Sequence, residues 1–383
     1  MSHPSGHLPW SGDLGRAVGA LLARATAPRP APAAGPQVAA PGAAALIAHR
    51  GEVLAHTHAG MAALYDHDGG LLPEADREPV TRETVWDIAS LTKIVVALAA
   101  LVQVDRGILD LDAPVLTWLP EFGHGPEGVA SRGARARVTA RRLLTHTAGL
   151  PAVARPWTVR GGRAERAAYL ASQPLEFEPG TAHQYSCVGY QTLGLALERL
   201  TGRPLPELVE QSVAGPLGMT WTRYRPAAGS AVAATEYQPE RGLVRGEVHD
   251  ETAWALGGAG NAGLFSTAED LLRLAEEVRT GRCGLVSETS RALLTTGTLP
   301  PAEIERIGYD QALGFRLGQA DVMATDDRAV FGHTGFTGTS LVIDPDRELT
   351  VILLTNRVHP RRELFDVDPV RRELARLARD LAG

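Results

Sequence analysis

The sequence predicts an α/β fold: an antiparallel sheet built from both ends of the chain, flanked by terminal helices, with a mainly helical domain inserted between the two halves of the sheet. Three observations point there. Strand-like segments occur near residues 43–59 and return, with a period of two, beyond about residue 312, while the chain between is dominated by helical spacing and Pro/Gly breaks. Amphipathic helical repeats occupy both extremes of the chain. The length, 383 residues with 44% hydrophobic content, is enough to bury a large core in one large or two intimately joined domains. The expected division is an N-terminal helix and connection over 1–41, a sheet domain from 42–90 with 300–383, and a helical domain over 91–299.

In chain order, Leu14, Val18, Leu21 and Leu22 recur at helical spacing and predict a short amphipathic helix. Residues 26–41 form a Pro/Ala tract that suits neither helix nor central strand and reads as an extended connection. Ala43–Ala48 and Glu52–Ala59, joined at Arg50-Gly51, predict a hairpin. Residues 91–104 are apolar almost all round, the mark of a helix buried in a core. Pro114, Pro120 and the Gly/Arg-rich residues 123–137 break up the next stretch of chain, and Thr145–Pro151 reads as a turn after a short helix. Helices are expected over 189–200, closed by Gly202-Arg203-Pro204, and over 205–213. Ser266-Thr267-Ala268-Glu269 resembles a capping box opening a helix to about Arg279. Phe331–Gly335, Thr339–Asp344 and Glu348–Asn356 predict three strands, the last two joined through Pro345-Asp346. Val370, Leu374, Leu377 and Leu381 mark a C-terminal amphipathic helix.

Composition excludes several classes. A net charge of −6 without a dense Lys/Arg block argues against nucleic acid. No run reaches the roughly 18 apolar residues of a membrane span. Residues 1–13 show no basic segment followed by an apolar one, so the expected location is cytoplasmic unless the N-terminus is trimmed or misassigned. Two cysteines, Cys187 and Cys283, are too few for a disulfide scaffold, lack metal-site spacing, and are expected as reduced thiols.

The chemistry is concentrated around Lys93, the only lysine in the chain; every other fixed cation is an arginine. A guanidinium does not release its proton in a protein, whereas a buried amine can be neutral and act as a base. Ser90 stands three residues upstream, which at a helix start puts hydroxyl and amine on one face. With one lysine and 13 serines, chance places a serine there only roughly 3% of the time. The partial positive charge of a helix N-terminus favours a neutral amine and a developing alkoxide.

A serine nucleophile also needs a proton relay and two N–H donors for its oxyanion. Pro179–Tyr190 supplies a tyrosine, Tyr185, on a loop before a helix, and Gly332-His333-Thr334-Gly335-Phe336-Thr337-Gly338 supplies a glycine-punctuated strand edge.

With these three elements in place, the chain resembles the serine hydrolase superfamily of class C β-lactamases, penicillin-recognising D-alanyl-D-alanine carboxypeptidases and related β-lactamase-fold esterases. Ser90-Leu91-Thr92-Lys93 matches the Ser-x-x-Lys motif, Tyr185-Ser186-Cys187 sits where the family has Tyr-x-Asn, and His333-Thr334-Gly335 where it has Lys-Thr-Gly or His-Thr-Gly. Leu143–Pro151, Pro216–Met219 and Gly257–Ser266 match family spacers, so the likeness runs from about residue 42 to 358. It implies a β-lactamase/penicillin-binding-protein-like fold. It also implies attack by Ser90 with neutral Lys93 as base, proton relay by Tyr185, and an oxyanion hole from the N–H groups of Ser90 and Phe336. Substrate contacts are implied at Cys187, His333, Thr334 and Gly335, on a small ester, amide or peptide, with no cofactor, metal, nucleic acid or membrane.

One position departs from the pattern. Cys187 replaces the amide that grips amide-bearing substrates, and a thiol cannot both donate and accept as an amide does. The expectation is therefore an esterase or a D-amino-acid amidase or carboxypeptidase-like enzyme. The alternatives are an acyltransferase using the same acyl-Ser90, a β-lactamase, and a non-catalytic penicillin- or peptidoglycan-binding protein. Cys187 as nucleophile finds no basic partner beyond His183.

Other signals carry less. Gly258-Ala259-Gly260-Asn261-Ala262-Gly263 matches G-x-G-x-x-G, but Glu251–Leu256 does not read as the strand a dinucleotide site requires. No G-x-S-x-G elbow exists. His56, His58 and the pair His249-Asp250 lack a third metal ligand at workable spacing. The arginines between 132 and 142 read as a solvated face.

Overall fold

In a computed structural model that describes residues 11–27, 37–38, 40–124 and 133–382, the two ends of the chain meet in one eight-stranded sheet. Its strands are β1 (Gly42–His49), β2 (Glu52–Ala63), β3 (Glu78–Pro79), β4 (Asp310–Gln311), β5 (Arg316–Leu317), β6 (Phe331–Thr334), β7 (Ser340–Asp344) and β8 (Leu349–Thr355), in the spatial order β3-β2-β1-β8-β7-β6-β5-β4. Every neighbouring pair is antiparallel. The seam between the two ends of the chain is the β1–β8 ladder, with Leu46 opposite Ile352.

Both seam strands are buried along their whole length apart from half-buried His49, because helices cover both faces of the sheet. Side chains alternate across a strand. Ala43, Ala45 and Ile47 therefore join Val351 and Leu353 against the terminal helices α1 (Ser11–Ala25) and α5 (Asp368–Ala382), which contribute Leu14, Val18, Leu22, Val370 and Leu374. Ala44, Leu46 and Ala48 face the other way with Ile352 and Leu354, into the larger core that holds α2 (Thr92–Asp105), α3 (Cys187–Thr201) and α4 (Ala268–Thr280). Helix α2 is buried from Thr92 through Gln103, as its all-round apolar sequence requires. No helix among the described residues is long and apolar enough to cross a membrane.

The hairpin, the three C-terminal strands and both terminal helices fall where the sequence places them. Two details differ. Helix α4 is capped by Thr267, whose hydroxyl accepts from Asp270 N, and not by Ser266. Ser266 is held in a two-residue ladder with Trp86, so the helix starts one residue later. The helix expected over 205–213 is α-helical only to Val209 and continues as a π-helical turn over Glu210–Ala214. The Pro/Ala tract lies largely outside the described residues, as do residues 125–132 of the Gly/Arg-rich segment.

Candidate active site

Ser90 is presented by a turn held on several sides. A short ladder pairs Trp86-Asp87 with Phe265-Ser266, and the chain then passes through Ile88 and Ala89 into α2. Ala89 has φ +46°, a conformation a residue with a side chain keeps only when its surroundings impose it. Those surroundings are polar and buried. Asp87 Oδ1 accepts from Ala89 N at 2.8 Å and Asp87 Oδ2 from His249 N at 2.7 Å. The Thr337 hydroxyl donates to Asp87 O at 2.7 Å and the Thr339 hydroxyl to Ile88 O at 3.0 Å. Burial raises the pKa of the Asp87 carboxyl, against the two backbone donors that favour its anion.

In the first turn of α2, Lys93 is fully buried, and its amine has three partners. Nζ lies 3.0 Å from Ser90 Oγ, 2.9 Å from the backbone oxygen of Asn261 and 3.7 Å from Cys187 Sγ. The Tyr185 ring centroid is 4.9 Å away and that of Tyr190 is 5.6 Å away. Burial, the largest single influence, presses the amine toward its neutral form. The ionised forms of Cys187 and Tyr185 and the Asp250 carboxylate press harder the other way, and the net direction is upward. Burial thus favours the neutral amine expected from the sequence, and the anionic forms of its neighbours oppose it.

Tyr185 stands on the loop before α3, a loop fastened to Leu143–Pro151. Ser186 N donates to His146 Nδ1 at 3.0 Å, Ser186 Oγ to Pro151 O at 2.6 Å, and Gln184 N to His146 O at 3.0 Å. Ser186 also caps α3 by accepting from Gly189 N. The segment recognised in the sequence only as a spacer is thus the platform of the tyrosine, and the His146 ring packs at a tilt with its centroid 4.6 Å from that of Tyr185. The Arg316 guanidinium, from β5, covers that ring at 4.7 Å. Sequence reading missed both residues.

The third element, β6 and its continuation, divides by face. Phe331 points into the core, and His333, two residues on, shares that face. His333 is 1% exposed, places Nδ1 2.7 Å from Thr334 O and lies 5.9 Å from the Tyr185 ring. It does not line the cleft, which corrects the expected substrate contact: the imidazole backs the tyrosine. Lys93 likewise stands behind the cleft lining, while Cys187 beside it is half-buried. Burial first, then the positive charges of Lys93 and Arg316, drive His146 and His333 well below the ordinary histidine range, so both are neutral.

Thr334, Gly335 and Phe336 line a cleft of about 450 Å³ together with Ser90, Tyr185 and Arg316. A Cβ on Gly335 would fall 2.5 Å from Ile88 O and 2.0 Å from the Thr339 hydroxyl, so only glycine lets the strand edge lie against the serine turn. From behind, the buried Arg371 of α5 donates to Gly335 O and Thr339 O, both at 2.8 Å. Among the described residues, neither the Ser90 nor the Phe336 amide donates to a protein acceptor. The Phe336 side chain, 45% exposed, is flanked by Arg357 at 4.7 Å.

Residues that carry other motifs do different work. Glu251–Leu256 is a helix, so the glycine-rich run after it follows no strand. A Cβ on Gly260 would meet Tyr190 O at 2.1 Å, so that glycine serves close packing of the loop on α3. No group of three or more His, Cys, Asp or Glu among the described residues stands close enough to hold a metal ion.

The sheet formed from both chain ends, with a Ser-x-x-Lys turn, a tyrosine loop and a Thr-Gly strand edge around one cleft, defines a β-lactamase-fold hydrolase. The chain belongs to the β-lactamase family, whose model matches residues 22–376. A putative D-alanyl-D-alanine carboxypeptidase of Escherichia coli (strain K12) is 31% identical over 76% of this chain and 73% of its own. Esterase EstB of Burkholderia gladioli is 31% identical over 83% of this chain and 86% of its own. Among solved structures, EstCE1, described as a hydrolase with promiscuous acyltransferase activity, superposes with a TM-score of 0.74 at 24% identity, covering 97% of this chain and 98% of its own.

Proposed function

We propose that the protein is a serine hydrolase working through an acyl-Ser90 intermediate on small carboxylic esters. The observation that carries the reading is the 3.0 Å contact between Ser90 Oγ and the fully buried Lys93 amine. Ser90 Oγ attacks the substrate carbonyl carbon while its proton passes to the Lys93–Tyr185 pair, one of which has given up a proton beforehand. The carbonyl oxygen, now an anion, is received by the free amides of Ser90 and Phe336. Tyr185 then delivers the proton to the leaving alkoxide, and water, activated the same way, releases the acid.

The substrate class follows from two features. Cys187 in place of an amide favours acyl groups that have no amide to be gripped. Arg316 and Arg357 line the cleft and, among the described residues, have no carboxylate within ion-pair distance, a setting that suits an anionic group on the substrate.

The test is intact mass after incubation with a fluorophosphonate, together with turnover of a chromogenic ester panel with and without an acceptor alcohol. Wild type is expected to gain one adduct and hydrolyse esters, and Ser90→Ala to do neither. Equal labelling of the two would remove Ser90 from the mechanism; release that depends on the alcohol would make the enzyme a transferase.

A further inference from the structure

The dipeptide His249-Asp250 reaches both members of the Ser90–Lys93 pair from one place, through Asp87 and Ala89 on one side and Asn261 on the other. On one side the His249 amide holds Asp87 Oδ2 at 2.7 Å, and Asp87 in turn holds the Ala89 amide beside Ser90. On the other, Asp250 Oδ2 accepts from Asn261 Nδ2 at 3.2 Å, and the backbone oxygen of Asn261 receives the Lys93 amine at 2.9 Å. The Asn261 side chain is 1% exposed and its Oδ1 has no partner. Asp250 is therefore the group that orients it. Asp250 is itself fixed, because its Oδ1 caps the following helix through Ala253 N at 2.7 Å, and among the described residues it forms no ion pair that would neutralise it.

We propose that Asp250, acting through Asn261, is a positioning residue for Lys93: it fixes the amine against Ser90 and stabilises the ammonium formed when Ser90 gives up its proton. The inference rests on the reading of Ser90 and Lys93 given above. The arrangement is serine, amine and carboxylate in series, with Asn261 interposed between the last two, its backbone carbonyl on the amine and its side-chain amide on the carboxylate. The groups facing Lys93 are Tyr185 and Cys187 from the α3 side, Tyr190 on α3, His146 from the loop beneath it and His333 on β6. Both histidines are held neutral by burial, so Asp250 is the carboxylate acting on the amine. Arg241, whose guanidinium bonds His249 O, Glu251 and Asp87 are the charged groups near Asp250.

The experiment is the rate of Ser90 labelling by a fluorophosphonate as a function of pH, with thermal midpoint measured alongside. Asp250→Asn keeps a helix-capping oxygen, and the Asn261 amide can turn over to keep their hydrogen bond, so the variant removes the charge alone. Without that charge the ammonium is less favoured and the acid limb moves down by about one pH unit, while the plateau rate falls about 10-fold. A purely structural role would lower the thermal midpoint and leave the limb in place. A folded Asp250→Asn protein with an unmoved limb overturns the proposal; where that variant folds poorly, Asp250→Ser, which keeps a capping hydroxyl, decides it on the same readout. Failure of wild type to label at Ser90 would instead overturn the underlying reading.

Discussion

Gly335→Ala adds one methyl group where the strand edge meets the serine turn, and neither partner can retreat. The new Cβ would stand 2.5 Å from Ile88 O, 2.0 Å from the Thr339 hydroxyl and 3.4 Å from Ala89 Cβ. Residue 335 is clamped from behind by Arg371 Nη2 on its carbonyl oxygen and by its own amide on Thr339 O at 2.7 Å. The turn is clamped by Asp87 and Thr337. Rotating the Thr339 hydroxyl away relieves one contact but loses its bond to Ile88 O, worth about 1 kcal/mol. The contact with Ile88 O remains, and restoring ordinary van der Waals distance requires about 1 Å of separation. That shift carries the Phe336 amide, one residue on, away from Ser90. A misplacement of about 1 Å in a reacting constellation costs about 10²-fold in rate, and overpacking of this kind costs about 1–3 kcal/mol of stability. Steady-state kinetics on a chromogenic ester, with urea unfolding in parallel, should therefore show the loss in kcat more than in KM. A Gly335→Ala enzyme with kcat within a few-fold of wild type would refute the close-approach argument.

Cys187→Asn places an amide beside the Lys93 amine, where the thiol now lies 3.7 Å away. The ratio of kcat/KM for an N-acylamino ester over a plain ester should rise by about 10-fold, the worth of one to two hydrogen bonds; an unchanged ratio would mean that residue 187 does not meet the acyl group. His359 is fully buried, accepting at Nε2 from Leu64 N and Tyr65 N with Nδ1 2.9 Å from Thr235 O, and burial lowers its pKa to about 4. Unfolded, it binds its proton near pH 6.5, so stability present above that pH should fall by up to about 3 kcal/mol as pH drops toward 4. Urea midpoints across that range should show the slope in wild type and a shallower one in His359→Gln, and equal slopes would assign the pH dependence elsewhere.

What the sequence made legible is what repeats or stands alone. Strand-like runs five to eight residues long located β1, through its hairpin turn at Arg50-Gly51, and β7 and β8, and helical spacing located the terminal helices, because each pattern has enough residues to be read. Strands β4 and β5 have two residues each, too few for any period, and Arg316 sits in one of them. A lone lysine singled out Lys93 and with it Ser90. Arg316 and Arg371 are ordinary arginines until the fold sets them over Tyr185 and behind Gly335. His249-Asp250 and the Asn261 loop were noticed, but as fragments of a metal site and a nucleotide loop, since their bonds to Asp87 and Lys93 span more than 150 residues. The face of His333 could have been read, because it lies two residues from Phe331 on a strand and must share its inward side.

The use of arginine everywhere but at residue 93 has a consequence in the cleft. Arg316, Arg357, Arg362 and Arg371 all line it, and a guanidinium does not exchange its proton over the range in which enzymes work. They stand among the carboxylates of Glu363, Asp366 and Asp368 in the same lining, with Arg362 and Arg371 ion-paired, and supply fixed positive charge without a releasable proton of their own. The histidines that touch Tyr185 are pushed by burial to stay neutral. The groups beside the Lys93 amine that carry an exchangeable proton are the Ser90 hydroxyl, the Tyr185 phenol on the loop before α3 and the Cys187 thiol at its start. A second lysine at any of the four arginine positions would bring another releasable proton into the same cleft. Arg316→Lys, directly over the Tyr185 ring, is the substitution where that extra proton would stand closest to the relay.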